Sequence, residues 1–258
     1  VAVLASTLGG FEAGLYGAAA PTFDGVFRQS LAIMALHTVG ATVPEAAVDW
    51  LLDQQCSGAI GALGGWQAYR ADTAPECDLP DPTMFTGPDT NQTAMAVQAL
   101  SLVLEPPADE VALGLDFLVE AQALDGGFPY LTGQGAGDPN STALVIGAIV
   151  AAGEDPRGGR WEIDEGVHPV ASLLDWQLGC DTATPGAFAS PFSGGAADLF
   201  DSRQAVLGAA MSGYLVATPS FAPLSQVCPT TFDDMGLDHP FSGEISWLVA
   251  NGIATGYD

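Results

Sequence analysis

Residues 125–143, DGGFPYLTGQGAGDPNSTA, contain both halves of a pattern that recurs along this chain. The first half is a glycine-rich turn that ends on an aromatic residue, Asp125-Gly126-Gly127-Phe128. The second half, Asp138-Pro139-Asn140-Ser141-Thr142-Ala143, opens an apolar helix with short polar residues. A unit of roughly 50 residues that carries two helices is typical of an array of helical hairpins. The pattern therefore predicts an all-α repeat architecture.

The same pattern appears elsewhere with small changes. The turn is Gly9-Gly10-Phe11 near the start of the chain, Gly64-Gly65-Trp66 in the second copy and a degenerate Gly186-Ala187-Phe188 in the last. The helix start is Asp89-Thr90-Asn91-Gln92-Thr93-Ala94 in the second copy, and Asp201-Ser202-Arg203-Gln204-Ala205 is a looser version. These copies predict about four helical hairpins.

Predicted helices of two kinds alternate along the chain. Residues 91–104 and 141–152 are apolar nearly throughout, which predicts burial on most faces. Residues 109–122 carry apolar residues on one face and acidic residues elsewhere, which is typical of a half-exposed helix. The alternation predicts two concentric layers, so we expect an α/α toroid that forms a complete or an incomplete ring. A flat solenoid of helix pairs is the alternative, and its two helices would show more equal burial.

The charge of the chain excludes several classes of partner. The 31 acidic residues stand against five arginines and no lysine, so the formal net charge is -26. A surface of this charge repels phosphate backbones and anionic membrane surfaces, which excludes nucleic acid as a partner. The sequence has no uncharged apolar stretch of about 18 residues, so no membrane span is predicted.

Four cysteines are scattered along the sequence, and none belongs to a C-x-x-C pair that would indicate a zinc site. An even number of scattered cysteines in an acidic, lysine-free chain indicates disulfides outside the cytosol. We predict the pairs Cys56–Cys77 and Cys180–Cys228, the first of which would close the long loop after the first hairpin. Four buried free thiols are the alternative. The expected location is extracellular, at a cell surface or cell wall.

Apolar pairs and glutamines precede the turns. They are Trp50-Leu51 with Gln54-Gln55, Phe117-Leu118 with Gln122, and Leu173-Leu174 with Gln177. Together with the Asn-x-Thr-Ala helix starts, these sequence motifs resemble prenyltransferase/squalene-cyclase-type repeats over residues 1–217. The resemblance implies an (α/α)6 toroid, the fold of terpene cyclases and of protein prenyltransferase β subunits.

The last residues of the chain resemble a second family, the S-layer-homology-type module. The sequence ends at Asp258, before the Thr-Arg-rich second half of such a module, so we expect a truncated one. This resemblance implies attachment to a bacterial cell wall. It also predicts two domains, 1–228 and 229–258. The residues on which the resemblance to the S-layer-homology-type module rests are Phe232-Asp233-Asp234, His239-Pro240-Phe241, Ile245, Trp247-Leu248 and 252–257.

The residue patterns that the reactions of the first family require are absent from this sequence. A cyclase that protonates an alkene uses Asp-x-Asp-Asp, and no Asp-x-Asp occurs in this sequence. Asp233-Asp234 comes nearest to the Asp-Asp-x-x-Asp of metal-dependent ionisation, but Leu237 occupies the third acidic position. No cysteine has an aspartate two residues before it, as a prenyltransferase-type zinc site requires. We therefore predict no catalytic residue, no metal and no cofactor.

Four polar residues at the inner helix starts have two interpretations. Their short side chains either cap free helix N–H groups or converge on one mouth of the toroid and line a ligand site. These residues are Asp89, Asn91, Asp138 and Asn140. Aromatic residues after the turns either fill the core between hairpins or form a rim that stacks on sugars or an apolar ligand. These residues are Trp66, Phe128 and Tyr130.

The predicted function is that of a secreted or cell-surface repeat protein. It would serve as a binding or structural module and would not be an enzyme. The expected partners are a cell-wall glycan, a surface-layer protein or a small apolar ligand. The alternative function is a terpenoid-cyclase-like or prenyltransferase-like enzyme that acts on an isoprenoid substrate.

Overall fold

The computed structural model describes residues 7, 9–58, 61–105, 108–179 and 182–214. Within these ranges the chain forms seven α-helices and no β-strand, which confirms the all-α prediction. None of the described helices has the length and apolar character that a membrane crossing requires. The helices are α1 (Gly25–Thr38), α2 (Glu45–Asp53), α3 (Thr90–Val103), α4 (Asp109–Ala121), α5 (Pro139–Ala151), α6 (Pro169–Asp175) and α7 (Leu199–Ala209).

Helices α1, α3, α5 and α7 pack side by side in chain order. The other three helices cover this row: α2 packs on α1, α4 on α3 and α5, and α6 on α5 and α7. Burial follows the same division, because α5 is buried from Pro139 to Ile149 whereas α4 buries one face that includes Leu115 and Leu118. The apolar sequence of α5 and the amphipathic sequence of α4 account for this difference.

A side-chain hydroxyl joins each of three glycine-rich turns to the inner helix that follows. In the third copy, the Phe128 N–H donates to Thr142 Oγ1 at 2.9 Å, and the Asp138 N–H donates to the Phe128 carbonyl at 3.0 Å. Because the backbone groups of the turn are buried, they need these partners. The need for a hydrogen-bond acceptor explains why a residue with a hydroxyl group, Thr142, stands one turn into the apolar helix α5. The second copy uses Trp66, Thr93 and Asp89 in the same way, and the last uses Phe188, Ser202 and Asp198.

A glutamine at the end of an outer helix holds the turn from the other side. Gln122 Nε2 donates to the Gly126 carbonyl at 2.9 Å and to the Trp161 carbonyl at 2.9 Å. Gln55 Nε2 donates to the Gly64 carbonyl in the same way, at 3.0 Å. These bonds satisfy carbonyl groups that the turn leaves without a backbone partner, which explains why glutamine recurs before the turns.

Two glycines are required where a turn presses against the next outer helix. Gly64 has φ +82°, and a Cβ there would lie 2.2 Å from the Leu113 carbonyl oxygen of α4. Gly126 also has φ +82°, and a Cβ there would lie 2.8 Å from the His168 nitrogen at the start of α6. Both the backbone conformation and the lack of space therefore exclude a side chain.

The prediction that the first turn is Gly9-Gly10-Phe11 is wrong. A Cβ on either of these two glycines would meet no atom within 4 Å. Gly14 instead has the tight surroundings of the other turns, since a Cβ there would lie 1.7 Å from a carbonyl oxygen of α2. The Tyr16 N–H donates to the Gln29 side chain of α1 at 2.9 Å, which matches the turn-to-helix bond of the other copies. The first turn is therefore Gly14-Leu15-Tyr16.

One of the two predicted disulfides is confirmed. Cys56 and Cys77 are bonded, and the bridge closes part of the loop between α2 and α3. In the same loop the Arg70 guanidinium donates to the Gln55 and Thr73 carbonyl oxygens, at 3.0 Å each. A covalent bond and backbone contacts thus hold the loop together.

Three predictions fall outside the described residues. They are the disulfide Cys180–Cys228, the domain boundary at residue 228 and the wall-binding segment 229–258. These remain predictions from the sequence.

We predict that Gly64→Ala destabilises the fold more than Gly133→Ala. Both glycines have positive φ, +82° and +85°, but a Cβ on Gly133 would meet no atom within 4 Å. The strain of the backbone conformation, about 1–2 kcal/mol, is therefore common to both substitutions. Only Gly64→Ala also forces the turn away from α4, which should cost about 2 kcal/mol more in urea unfolding. Equal losses for the two variants would contradict the close contact between turn and helix.

We also predict that Thr142→Val lowers the free energy of unfolding by about 1–3 kcal/mol, because the buried Phe128 N–H loses its acceptor. Valine keeps the shape of threonine, so packing changes little. Thr22→Val is the matched control at an exposed position, where a change of less than about 0.5 kcal/mol is expected. Thermal unfolding followed by circular dichroism measures both. A Thr142→Val protein as stable as the control would refute the proposed role of the hydroxyl.

Candidate functional site

Aspartates cap α3 and α5 at the predicted positions, whereas the predicted start of the last inner helix at Asp201 is wrong, because Asp198 caps α7. Asp89 Oδ1 accepts from the Gln92 N–H at 2.7 Å, and Asp138 Oδ1 accepts from the Ser141 N–H at 2.8 Å. Both aspartates are buried. A carboxylate is favoured there because the first N–H groups of a helix have no intrahelical partner and carry partial positive charge. Both residues therefore cap their helices.

Two asparagines from neighbouring repeats meet beside these caps. Asn91 Nδ2 donates to Asn140 Oδ1 at 3.1 Å, so the contact joins the start of α3 to the start of α5. Asn91 Oδ1 and Asn140 Nδ2 are buried and have no partner among the described residues. One acceptor and one donor are thus left unpaired at the helix starts.

Gln92 extends this polar group toward α1. Its Nε2 donates to the Phe23 carbonyl oxygen at 3.3 Å. Its Oε1 is buried and has no partner in the part of the chain that the structure describes. Since an unpaired buried polar group costs about 1–3 kcal/mol, such groups are rare in folded proteins. We call Asn91, Gln92 and Asn140 the amide cluster.

Burial changes the protonation of the acids beside the amide cluster. The Tyr130 hydroxyl donates to Asp89 Oδ2 at 3.1 Å. Burial raises the pKa of Asp89 to about 7, although hydrogen bonds from Gln92 and Tyr130 lower it in part. Burial also raises the pKa of Asp138, and the nearby charge of Asp201 adds to the rise. These acids therefore hold protons at a higher pH than exposed carboxyl groups do.

Two of the aromatic residues predicted for the site lie in the core. Trp66 and Phe128 are fully buried, and the Trp66 indole N–H donates to the Leu51 carbonyl oxygen at 2.8 Å. The Phe128 ring meets Trp161 edge-on, with 6.3 Å between ring centroids. Their positions favour the core-filling interpretation. The structure therefore joins Asn91 to Asn140 and Tyr130 to Asp89, whereas the side chains of Trp66 and Phe128 lie in the core.

Three exposed phenylalanines near the helix starts were not predicted. Phe23 is 84% exposed, Phe85 is 66% exposed and Phe200 is 64% exposed. The Phe85 ring centroid lies 6.4 Å from that of Tyr130. Phe200 occupies in α7 the position that Asn140 has in α5, counted from the cap. Phe200 was missed because the predicted cap was Asp201, three residues after the true cap Asp198, and no local pattern marks Phe23 or Phe85.

Two cavities lie apart from the amide cluster. A small one between α5, α7 and residues 212–214 has about 10 Å³, which is room for about one water molecule. An open groove of about 530 Å³ runs along the end of α4 and the loop of residues 123–136. In the described ranges, no group of three or more His, Cys, Asp or Glu side chains is placed to hold a metal ion.

No protein-family model matches this sequence, and no curated protein matches it. The resemblance to the two families named above rests on the quoted residues and stays a prediction.

We predict that Asp89 makes the fold less stable as the pH rises toward neutrality. The ordinary carboxyl pKa is 3.8 and that of Asp89 is about 7, so the folded state binds this proton more tightly than the unfolded state. The contribution of Asp89 to stability is therefore complete below about pH 4 and is lost between about pH 4 and pH 7. Asp89→Asn keeps the capping oxygen and removes the titration. It should lose less stability from pH 5 to pH 7.5 than the wild type, by up to about 3 kcal/mol.

Asp53→Asn is the matched control, because Asp53 is exposed and its replacement removes one surface charge. Urea unfolding at pH 5 and pH 7.5 gives the pH dependence of the three proteins. If Asp89→Asn and Asp53→Asn depend on pH equally, the raised pKa of Asp89 is refuted.

Proposed function

We propose that this chain is a non-catalytic binding module of a secreted or cell-surface protein, and that its ligand binds at the amide cluster. The observation that carries the proposal is the Asn91–Asn140 pair, which leaves a buried acceptor and a buried donor unpaired within the described ranges. Because both atoms are buried, a ligand has to turn the two amide side chains outward, and pairing them would then recover about 1–3 kcal/mol for each. Capping does not require the asparagines, because Asp89 and Asp138 already accept helix N–H groups.

The proposed location is extracellular. The Cys56–Cys77 disulfide supports it, since disulfides persist mainly in oxidising compartments. A lysine-free chain with a net charge of -26 suits a solvent-exposed surface protein. Segment 229–258 would attach the module to a cell wall, and the support for this role is its spacing of S-layer-homology type.

The proposed architecture is an α/α toroid of prenyltransferase/squalene-cyclase type, which residues 1–228 would form. Its support is the consecutive packing of α1, α3, α5 and α7 and the cover that α2, α4 and α6 provide. In such a toroid the inner helices all begin at the same end of the ring. The amide cluster would then lie at the mouth of the ring.

An enzyme that acts on an isoprenoid is the competing function. Such an enzyme needs a closed cavity for a long apolar chain. Of the two cavities described above, the one beside Gln98 and Tyr214 has only about 10 Å³, and the groove of about 530 Å³ is open to solvent. The buried Asp89 holds a proton near neutral pH, as an acid catalyst would. Its two oxygens, however, already accept from the Gln92 N–H and the Tyr130 hydroxyl. Binding therefore has the better support.

We predict that the chain co-sediments with purified bacterial cell walls through two contacts, segment 229–258 and the amide cluster. The double variant Asn91→Leu/Asn140→Leu keeps only the first contact and should bind the walls about tenfold or more weakly. The loss corresponds to two hydrogen bonds to the ligand. Leucine has the same number and branching of side-chain heavy atoms as asparagine and leaves no polar atom unpaired. The free energy of unfolding should consequently stay equal or rise, which separates lost binding from lost folding.

Gln204→Leu is the matched control for this variant. It removes a different side-chain amide, on α7, whose buried carbonyl oxygen also has no partner among the described residues. Its binding to cell walls should equal that of the wild type. Unchanged binding by the double variant, or no binding by the wild type, would contradict the proposed site. Conversion of farnesyl diphosphate or squalene by the purified chain would contradict the non-catalytic role.

A further inference from the structure

We propose that residues 243–250 of this chain dock on the exposed face of α7, where Glu244 forms an ion pair with Arg203. This contact would hold segment 229–258 against the last helical hairpin. It goes beyond the proposed binding function and does not depend on what the module binds. The support comes from the burial of α7, the side chain of Arg203, the place where the described chain ends and the sequence of residues 243–250.

One face of α7 is exposed, although the helix belongs to the inner row. The preceding inner helix, α5, is buried from Pro139 to Ile149. Helix α7 packs on α5 and α6. The residues that it buries among the described elements are small or capping ones, Asp201, Ala205, Gly208 and Ala209. The rest of the helix is thus left without the cover that the other inner helices have.

The exposed face of α7 is apolar. Leu199 is 66% exposed, Phe200 64% and Val206 59%. Leu199, Arg203 and Val206 follow one another by four and three positions, so they share one face of the helix, and Phe200 borders it. Several large apolar side chains on one exposed face are typical of an interaction surface. We call Leu199, Phe200, Arg203 and Val206 the α7 face.

Arg203 lies in the middle of the α7 face without a partner for its side chain. In the described part of the chain, Arg28, Arg157 and Arg160 form ion pairs, and Arg70 donates to backbone carbonyl groups. The guanidinium of Arg203 has neither kind of contact there. A partner that covers the α7 face therefore needs one acidic residue beside apolar ones.

The described chain ends beside the α7 face. Gln204 Nε2 donates to the Tyr214 hydroxyl at 3.4 Å, and Gln204 follows Arg203 directly. Residues 215–258 come next and lie outside the described ranges. Helix α7 has 11 residues and is about 16 Å long, a distance that about five residues of extended chain span. Residues 243–250 can therefore reach any part of the α7 face.

The sequence of residues 243–250 matches the α7 face. Ser242 and Gly252 are a helix start signal and a helix stop signal, and they enclose Ile245, Leu248 and Val249 at helical spacing. Glu244 precedes Leu248 by four positions, so it borders this apolar stripe. The stripe has three apolar residues and one acid, whereas the α7 face has three apolar residues and one arginine. The two surfaces are thus complementary in charge.

Other occupants of the α7 face fit less well. Residues 215–231 include apolar side chains but no acidic one, so they would bury Arg203 unpaired. A second copy of the chain would bring two net charges of -26 together, which is unfavourable. A segment of the same chain also has an effective concentration of the order of millimolar, because the linker keeps it near its site. Docking within one chain is therefore favoured.

Hydrogen exchange of the whole chain, followed by mass spectrometry, tests the docking. An isolated helix shorter than about 12–15 residues is marginal in water, so slow exchange at residues 246–251 requires packing against another surface. Leu199→Ser/Val206→Ser should speed exchange at these residues about tenfold or more. Exchange in α3 and α5 should not change, which shows that the repeats stay folded. Val39→Ser/Leu124→Ser is the matched control, because both side chains are exposed but lie outside the α7 face.

A charge exchange tests the ion pair. Arg203→Glu and Glu244→Arg should each speed exchange at residues 246–251 about 2- to 5-fold, since each places like charges together. Arg203→Glu/Glu244→Arg restores opposite charges and should return the exchange to the wild-type rate. Arg157→Glu makes the same change of charge at another exposed arginine and should have no effect at residues 246–251.

Several results would overturn the docking. They are fast exchange at residues 246–251 in the wild type, slow exchange there that Leu199→Ser/Val206→Ser leaves unchanged, and failure of the double charge exchange to restore the rate. Faster exchange at residues 215–224 alone in Leu199→Ser/Val206→Ser would assign the α7 face to that segment. Protection that is lost on dilution, together with a dimer mass from light scattering, would assign it to a second copy. None of these measurements uses cell walls, so they stand apart from the proposed binding function.

Discussion

The hydrogen bond from each turn to a side chain one helical turn into the next inner helix is the contact on which the rest of the structure depends. In the third copy the Phe128 N–H donates to Thr142 Oγ1 at 2.9 Å, and the Asp138 N–H returns to the Phe128 carbonyl. The pair of bonds decides where the helix begins and which face it turns toward its neighbours. Threonine, serine and, in the first copy, Gln29 all provide the acceptor. The acceptor follows the N-cap aspartate by four residues in α3, α5 and α7, so these three helices start in the same register relative to their turns, whereas Gln29 follows Asp24 of α1 by five residues.

This register brings equivalent positions of neighbouring copies into contact. Asn91 and Asn140 both follow a cap aspartate by two positions, so they meet once α3 and α5 lie side by side. Phe200 holds the same position in α7. A repeated scaffold thus presents a row of side chains that the sequence can vary without changing the packing of the helices. The chemistry of the site depends on this row, while the glycines and hydroxyls of the turns maintain the fold.

Features that depend on neighbouring residues were predicted from the sequence, whereas contacts between copies were not. The caps Asp89 and Asp138 and the Cys56–Cys77 bridge follow from local patterns and short separations. Gly9-Gly10-Phe11 carries the local pattern of a turn, but the close approach that requires glycine occurs at Gly14 and depends on the position of α2. The Asn91–Asn140 contact likewise depends on how two hairpins pack, which no pattern within one hairpin specifies.

The free energy of the unpaired amides decides between the two surfaces that could hold a ligand. The open groove of about 530 Å³ is larger, but Gln122 Oε1 is the one buried side-chain atom of its lining without a partner in the described ranges, whereas the amide cluster has Asn91 Oδ1, Gln92 Oε1 and Asn140 Nδ2. Gln122 Nε2 and Asp125 already bond to their own turn. A ligand there would compete with bonds that stabilise the fold. At the amide cluster each unpaired atom costs about 1–3 kcal/mol in a fold whose total stability is about 5–15 kcal/mol. Because a ligand that binds only the folded state adds its binding free energy to stability, the amide cluster gains more from a partner than the groove does.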